Sequence, residues 1–430
     1  MRLLALFLLF VFRPAESQPQ WKVLSSPTSR NLNKVCFIDS LEGWVAGDTG
    51  TILHTSDGGN SWTRQNPGIL DDIKELFILD RKYGWAVAMR YDIDSLWFGS
   101  VLLKTSDGGL SWSFQLYRDQ YFFALRFRDS LHGWMGSDVG ELLRTSDGGL
   151  TWVAALVDSS MWMQYPVLKF RFFSPSYGFA MGGHIDRAGV VWRTTNGGDR
   201  WTPDEAAGEP VRDLHFVDSL HVVAIGGDFE NGPAIVLSTD GGLTWVEHYL
   251  NLVGEVRAMS FRTPNEAWVV LGILGQYMMT TDTGSTWTTY SVPDSGAVLD
   301  LTFADSLHGY MVGVKGMIMK YKPTIAGIAG RRTPGTVLSF MLDQNYPNPF
   351  NPSTTIRYTI PNGSHVRLLI YNTLGQQVAT IVDDFRTAGS HEERWAPDLS
   401  SGVYFCRLET TSRGGSPDRF AQIRKILVLK

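Results

Sequence analysis

Six polar side chains recur at regular intervals along the chain, each two residues after a Thr or Ser and followed within two residues by Gly. They are Asp57, Asp107, Asp147, Asn196, Asp240 and Asp282. Carboxylates of this kind can serve as general acids and bases or as metal ligands. Their spacing of 40 to 50 residues, however, puts each in a separate copy of a repeat, so they cannot meet around one substrate. We interpret them as turn residues, because Asp accepts backbone N–H bonds there and Gly tolerates positive φ.

A second set of candidate side chains lies in insertions between the repeated segments. We predict ligand-binding roles for Tyr91, Trp97, Phe98, Trp162, Tyr165, His184, Asp186, Asp228 and Glu230. Loops on a rigid scaffold concentrate function, and loop aromatics suit protein or sugar recognition. Trp97 and Trp162 could equally cover one end of the repeat array, and the sequence leaves both interpretations open. The loop acids Asp92 and Asp94, with Asp186, Asp228 and Glu230, could serve a hydrolase, but no pattern selects a pair. We predict no catalytic residue, metal or cofactor.

The repeat itself predicts four short strands per copy. A segment Phe-x-Asp-x-x-x-Gly-Trp precedes each turn, first at Phe37 and in a seventh copy at Phe303. The seventh copy stops after Tyr321 without its own turn, and residues 20–24 resemble the missing strand. The N-terminal strand therefore completes the last unit and removes the open edge. The predicted fold is all-β: a seven-bladed β-propeller over residues 18–322, followed by a small Ig-like β-sandwich.

The combined repeat, Phe-x-Asp-x-x-x-Gly-Trp…Thr-x-Asp-Gly-Gly-x-Thr-Trp, resembles the photosystem II stability and assembly factor family of seven-bladed propellers over residues 20–322. That resemblance implies a propeller that binds a partner protein and performs no catalysis. The turn segment is an Asp-box (also called a BNR repeat), which also occurs in sialidases and xyloglucanase-like hydrolases. We therefore expect a binding or assembly module for a protein or glycan partner. A secreted glycoside hydrolase or lyase is the alternative.

The first strand of each repeat also carries charged residues on the face opposite its Phe. These are Lys34, Glu75, Arg126, Lys169, Arg171, Asp213 and Asp300. First strands line the channel of a propeller, so the mixed signs predict ion pairs between blades, with an anion site as the alternative.

The N-terminus predicts export. Arg2, an apolar run over residues 3–12 and small residues near position 17 form a signal-peptide pattern over residues 1–17. This indicates Sec export to the periplasm, and no later run is long enough to predict a membrane span in the mature chain. The formal net charge of -5 argues against a nucleic-acid partner.

Residues 323–341 are rich in Gly, Pro and Arg and are interpreted as a linker to a second domain over residues 342–430. This domain closely resembles the type A C-terminal sorting domain of the type IX secretion system. The residues that carry the resemblance include Asn345, Pro347, Pro349, Phe350, Gly402, Tyr404, Lys425 and Lys430. It implies the type IX secretion machinery as a partner, a secreted or cell-surface location, and often removal of the domain. An adhesion module without a sorting role is the alternative.

Overall fold

The structure is a computed structural model. It describes residues 20–93, 96–158, 164–293, 296–323, 341–343, 345, 348, 350–360, 363–372, 376–412 and 419–428. The chain divides into two compact units, Met1–Thr324 and Ile325–Lys430.

The first unit is built from successive antiparallel sheets of four strands each, which are the blades of a propeller. Blade 1 contains β2 (Leu32–Phe37), β3 (Gly43–Gly47), β4 (Thr51–Thr55) and β5 (Thr63–Gln65). Blade 2 contains β6 (Asp72–Ile78), β7 (Gly84–Asp92), β8 (Trp97–Thr105) and β9 (Ser113–Arg118). Blade 3 contains β10 (Phe122–Phe127), β11 (Gly133–Ser137), β12 (Leu142–Thr145) and β13 (Val153–Ala154).

Blade 4 has a fifth strand, because β14 (Leu156–Val157) pairs in parallel with its outer strand β18. Its own strands are β15 (Val167–Phe172), β16 (Gly178–His184), β17 (Ala188–Thr194) and β18 (Arg200–Ala207). Blade 5 contains β19 (Val211–Phe216), β20 (Val222–Asp228), β21 (Gly232–Ser238) and β22 (Val246–Tyr249). Blade 6 contains β23 (Ala258–Thr263), β24 (Glu266–Val270), β25 (Gln276–Thr280) and β26 (Thr288–Ser291), with a 3-10 turn at Gly272–Leu274.

Blade 7 combines the two ends of the repeat region. Three of its strands come from the C-terminal end, β27 (Val298–Phe303), β28 (Gly309–Gly313) and β29 (Ile318–Lys322), with a 3-10 turn at Val314–Gly316. Its outer strand is β1 (Gln20–Val23), which pairs antiparallel with β29. The first strands of consecutive blades contact one another, and β27 contacts β2, so the ring is closed. The predicted seven-bladed propeller is confirmed.

The Phe and Gly of the repeat serve the packing between blades. Phe37 stacks on Tyr310 of blade 7 with ring centroids 3.6 Å apart. A Cβ atom on Gly43 would lie 2.4 Å from the Phe37 ring, so only glycine leaves room for this ring. The Asp of the same segment, Asp39, accepts the backbone N–H groups of Leu41 and Glu42 and holds the turn between β2 and β3.

The two faces of the ring differ in their connections. One face, called here the Asp-box face, carries the turns between first and second strands and between third and fourth strands. These turns touch, since the Gly58 N–H donates to the Leu41 carbonyl. The opposite face, called the loop face, carries the turns between second and third strands and the connections between blades.

The second unit contains two sheets with a shared apolar core. One sheet contains β30 (Met341–Leu342), β31 (Thr354–Ile360) and β34 (Gly389–Trp395). The other contains β32 (Ser364–Tyr371), β33 (Gln377–Arg386), β35 (Gly402–Ser412) and β36 (Arg419–Val428). Ile356 and Tyr358 of the first sheet pack in one buried cluster with Leu368 and Cys406 of the second, so the predicted β-sandwich is confirmed. Within the described part of the chain, no helix has the length and apolar character to cross a membrane.

Candidate functional site

The six turn residues of the repeat are engaged inside their own turns. Asp147 shows the pattern: one carboxylate oxygen accepts the Thr151 backbone N–H at 2.9 Å, and the other accepts the Thr151 hydroxyl at 2.5 Å. Thr145 donates its hydroxyl to the same carboxylate and accepts the Gly149 N–H. Hydrogen bonds from Thr151 are the main cause that lowers the pKa of Asp147 to about 2. The aspartates at 57, 107, 240 and 282 make equivalent contacts.

The turn of blade 4 works without a negative charge. The side-chain oxygen of Asn196 accepts the Arg200 backbone N–H and the Thr194 hydroxyl, both at 3.0 Å. An amide oxygen therefore suffices for the contacts that matter to the turn, as expected if the carboxylates are present for hydrogen bonding.

The loop-face insertion in blade 2 is a regular hairpin. Strands β7 and β8 stay paired to the tip, where Asp92 faces Trp97, and each has nine residues. Tyr91 is 65% exposed, whereas Trp97 and Phe98 are half-buried. The Arg90 guanidinium lies over the Trp97 ring at 5.2 Å. Trp97 thus supports the hairpin, and Tyr91 presents its ring to solvent.

The remaining predicted loop aromatics lie toward blade 4. Trp162, and the acid Asp94 of the blade 2 tip, lie outside the described residues. Tyr165 is half-buried and packs against the apolar core of blade 4. Tyr165 therefore contributes part of its ring to the core of blade 4.

The predicted polar residues of blades 4 and 5 partly converge. Asp186 and Asp228 meet at the tips of their hairpins, whereas His184 and Glu230 are exposed beside them. Glu209, which the sequence did not single out, lies in the connection before β19 and joins the pair. One carboxylate oxygen from each of Asp186, Glu209 and Asp228 lies within 4.8 Å of the others, a separation at which three carboxylates could hold a cation.

Local donors partly satisfy this cluster. Glu209 accepts the Asp186 backbone N–H and the Asn231 side-chain amide, both at 3.1 Å, and Asp228 accepts the Asn231 backbone N–H at 2.7 Å. Burial raises the pKa of Glu209, and the charges of Asp228 and Asp186 add to the effect. The cluster is a region of like charge on the loop face.

Exposed apolar side chains occur at the hairpin tips of four consecutive blades on the loop face. They are Ile93 (76% exposed), Val139 (54%), Ile185 (44%) and Phe229 (49%), from blades 2, 3, 4 and 5. The pattern was not visible in the sequence, where each residue is a single apolar position between polar ones.

The channel charges form ion pairs between blades, as one of the two predicted alternatives requires. Lys34 of blade 1 pairs with Glu75 of blade 2 at 2.9 Å. Lys169 and Arg171 of blade 4 share Asp213 of blade 5, at 2.5 and 2.9 Å. These contacts bind neighbouring blades to one another through the channel.

A cavity of about 670 Å³ occupies the channel on its Asp-box side. Its lining comes from the ends of the first strands in blades 1, 2, 3, 4 and 7. A second cavity of about 440 Å³ lies between blades 3 and 4 on the same face. The two share Arg128, Trp134 and Pro175, so they lie side by side on this face.

In the second unit, the opening motif packs on the last strand. Phe350 is buried, and its backbone N–H donates to the Leu427 carbonyl. Asn348 accepts the Leu427 backbone N–H at 2.8 Å and donates to the Lys425 carbonyl at 3.2 Å. The two ends of the domain therefore form one structural feature.

Other predicted sorting residues differ in how they are held. Asn345 is buried and donates to the Thr354 hydroxyl, and the Tyr404 hydroxyl donates to the Ser400 carbonyl. Gly402 and Lys425 are exposed on β35 and β36. Pro347, Pro349 and Lys430 lie outside the described residues.

Comparison with known proteins agrees with this architecture. The family described as photosynthesis system II assembly factor YCF48 matches residues 13–120, and the secretion system C-terminal sorting domain matches residues 344–416. The photosystem II assembly lipoprotein Ycf48 of Nostoc sp. is 27% identical over 329 residues, covering 74% of this chain and 91% of that protein. The chain is therefore similar to Ycf48 in its propeller and to a secretion system sorting domain in its C-terminal unit.

Solved structures show the same propeller fold. A structure described as YCF48 bound to D1 peptide has a TM-score of 0.55 at 21% identity, covering 70% of this chain and 97% of that one. The GH74 enzyme of Niastella koreensis has a TM-score of 0.53 at 11% identity, covering 93% of this chain and 67% of that one. At these identities both likenesses concern the fold alone. The sorting domain indicates handling by type IX secretion and a secreted or cell-surface protein.

Proposed function

We propose that this chain is an exported binding module whose Ycf48-like propeller holds a protein partner on its loop face, over blades 2 to 5. The export route begins with Sec passage directed by residues 1–17, continues through the periplasm, and ends with type IX transport directed by residues 342–430. Similar proteins support a protein partner, since one relative's structure is described as bound to a D1 peptide.

The observation that carries the proposal is the row of exposed apolar residues at four neighbouring hairpin tips. Ile93 and Phe229 directly follow Asp92 and Asp228, the last paired residues of β7 and β20, so the sheet holds the base of each tip before any partner arrives. Preorganised apolar anchors reduce the entropy lost on binding. Four such anchors on neighbouring tips offer a partner several apolar contacts on one side of one face.

The chemistry of these tips favours protein over glycan. Sugars bind on open aromatic rings with polar neighbours, but Trp97 lies half-buried under Arg90, and among the described loop aromatics that we predicted only Tyr91 presents an open ring. The exposed tips are mainly aliphatic, and the carboxylates of Asp186 and Glu209 lie between the tips of blades 4 and 5. A partner segment that presents apolar side chains beside lysine or arginine complements this surface.

The test uses a photo-reactive residue at one of three positions in the full chain, displayed on its native cells. Crosslinking from position 93 or 229 is expected to capture one defined protein. Position 307 is the matched control, because Leu307 is 49% exposed on the Asp-box face. Binding of that protein, once purified, should weaken at least about tenfold for the double variant Ile93→Ser/Phe229→Ser and stay unchanged for Leu307→Ser. Unchanged binding by the double variant would refute the proposal.

A further inference from the structure

The channel cavity contains more positive than negative groups. Five cations lie in and around it, and one of them, Arg128, pairs with Asp129 at 3.4 Å. The other four, Lys34, Arg126, Lys169 and Arg171, face three carboxylates, Glu75, Asp213 and Asp300. Opposite charges in a confined space are expected to be matched, because an unpaired buried charge is costly. One cation is therefore in excess.

The three carboxylates are all committed to other groups. Glu75 pairs with Lys34 and accepts the Leu76 backbone N–H. Asp300 accepts the Val35 backbone N–H at 2.9 Å. Asp213 is shared by the two cations of blade 4 and also accepts two backbone N–H groups.

Arg126 is the cation that remains. Its guanidinium lies over the Phe77 ring at 4.9 Å, and no carboxylate among the described residues lies within ion-pair distance of it. The nearby Cys36 does not supply an anion, because burial raises the pKa of its thiol to about 11. Burial, together with the charge of Arg171, lowers the pKa of Arg126 to about 10, and the charge of Glu75 only partly opposes this, as expected for a cation without a directly paired carboxylate.

Much of the remaining cavity wall is apolar, although Arg128, Ser174 and Thr302 also line it. Phe37, Phe77, Phe127 and Phe172, the Phe residues of the repeat, line it together with Leu76 and Leu79. A volume of about 670 Å³ lies within the range of small-molecule sites, roughly 300–1,000 Å³. The neighbouring cavity between blades 3 and 4 lies beside it on the same face.

We propose that this cavity is a binding site for a single carboxylate carried on an apolar body, with Arg126 as the group that receives the carboxylate. It lies on the Asp-box face, opposite the proposed partner surface, and does not depend on that surface. Two sources offer this chemistry: a free aryl or alkyl carboxylate, and the carboxyl terminus of a polypeptide with apolar side chains. A planar guanidinium recognises a carboxylate through two parallel hydrogen bonds, which a neutral amide cannot match.

The experiment measures calorimetric affinities of the full mature chain for two pairs of probes. The first pair is 3-phenylpropanoate and its amide. The second is the peptide acetyl-Ala-Ala-Leu-Phe with a free carboxyl terminus and the same peptide amidated. At least one free carboxylate is expected to bind about tenfold or more tightly than its amide. Preference confined to the first pair identifies a free carboxylate as the source, and preference confined to the second identifies a chain terminus.

Variants locate the site. Arg126→Met should abolish the preference for carboxylate over amide, and Arg126→Lys should restore part of it. Arg64→Met is the matched control, since Arg64 is exposed on the outer strand β5, and it should leave the preference unchanged. Without ligand, Arg126→Met should melt no lower than wild type, because the variant keeps the volume and loses an unmatched charge. The proposal fails if neither carboxylate is preferred, if the preference survives in Arg126→Met, or if this variant is clearly less stable than wild type.

Discussion

The closure of the ring by the N-terminal strand makes a quantitative prediction for Trp21. This residue is 7% exposed on β1, and its ring centroid lies 5.6 Å from those of Trp268 and Tyr321. Replacing a buried Trp by Ala typically costs about 3–5 kcal/mol. Because β1 has only four residues, Trp21 is the main apolar link between this strand and the rest of the ring.

The contacts of Trp21 narrow the range expected for the loss of unfolding free energy in Trp21→Ala. Trp21 contacts four aromatic rings, and such pairs add about 0.5–1.5 kcal/mol beyond the area that they bury. Its Nε1 has no hydrogen-bond partner among the described residues, so no hydrogen bond is lost. We expect Trp21→Ala to lower the free energy of unfolding by about 4 kcal/mol. Trp21→Phe should cost about 1–2 kcal/mol, because much of the apolar contact remains.

The assay is urea unfolding of the mature full chain, with hydrogen exchange read at residues 318–322 to follow the partner strand. With a slope near 3 kcal/mol per M, a loss of about 4 kcal/mol lowers the midpoint by more than about 1 M. Lys22→Ala is the matched control on the same strand, since Lys22 is exposed, and it should change stability by less than about 0.5 kcal/mol. The reasoning is refuted if Trp21→Ala unfolds within about 1 kcal/mol of wild type or leaves exchange at β29 unchanged.

Three further outcomes are expected. Asp147→Asn should lower the thermal midpoint much less than Asp147→Ala, because Asn196 makes the same turn contacts in blade 4; differential scanning fluorimetry measures both. The lowered pKa of Asp147, about 2, means that the stability due to its ionised form is present above the unfolded pKa near 3.9 and is lost as pH falls through 2. The cost of Asp147→Ala should therefore be smaller at pH 2 than at pH 7. Glu209→Gln should raise the urea midpoint at pH 8 and raise it less at pH 4. The pKa of Glu209 is raised in the folded state, so the stability that its neutral form gives is lost as pH rises through that pKa. Deleting residues 425–430 should trap the chain in the periplasm, because it removes the end of the strand on which Asn348 and Phe350 pack. Cell fractionation measures this, and normal secretion of the truncated chain would contradict the prediction.

Much of the fold could be predicted because its signals are local. Thr145, Asp147 and Thr151 make their hydrogen bonds within seven consecutive residues, so the turn can be recognised without knowing the rest of the molecule. The candidate site was less predictable. Aromatic type alone suggested Trp97 as a contact residue, but its burial under Arg90 depends on how the blade 2 hairpin folds back on itself.

Glu209 and Arg126 show what local reasoning misses. Glu209 lies 23 residues from Asp186 along the chain, yet its carboxylate accepts the Asp186 backbone N–H, because β16 and β19 belong to adjacent blades. Arg126 was visible in the sequence as a channel charge, but its lack of a carboxylate partner became apparent only when the other channel charges were found paired.

The sequence alone determined the repeat, the number of blades, the turn chemistry and the sorting domain, since these depend on hydrogen bonds and side-chain alternation among near neighbours. Tertiary structure decided which channel charges are matched, where the cavity lies and which hairpin tips share a surface. Burial and charge pairing arise between blades that are 40 or more residues apart in the chain, and they take definite values only once the ring has closed.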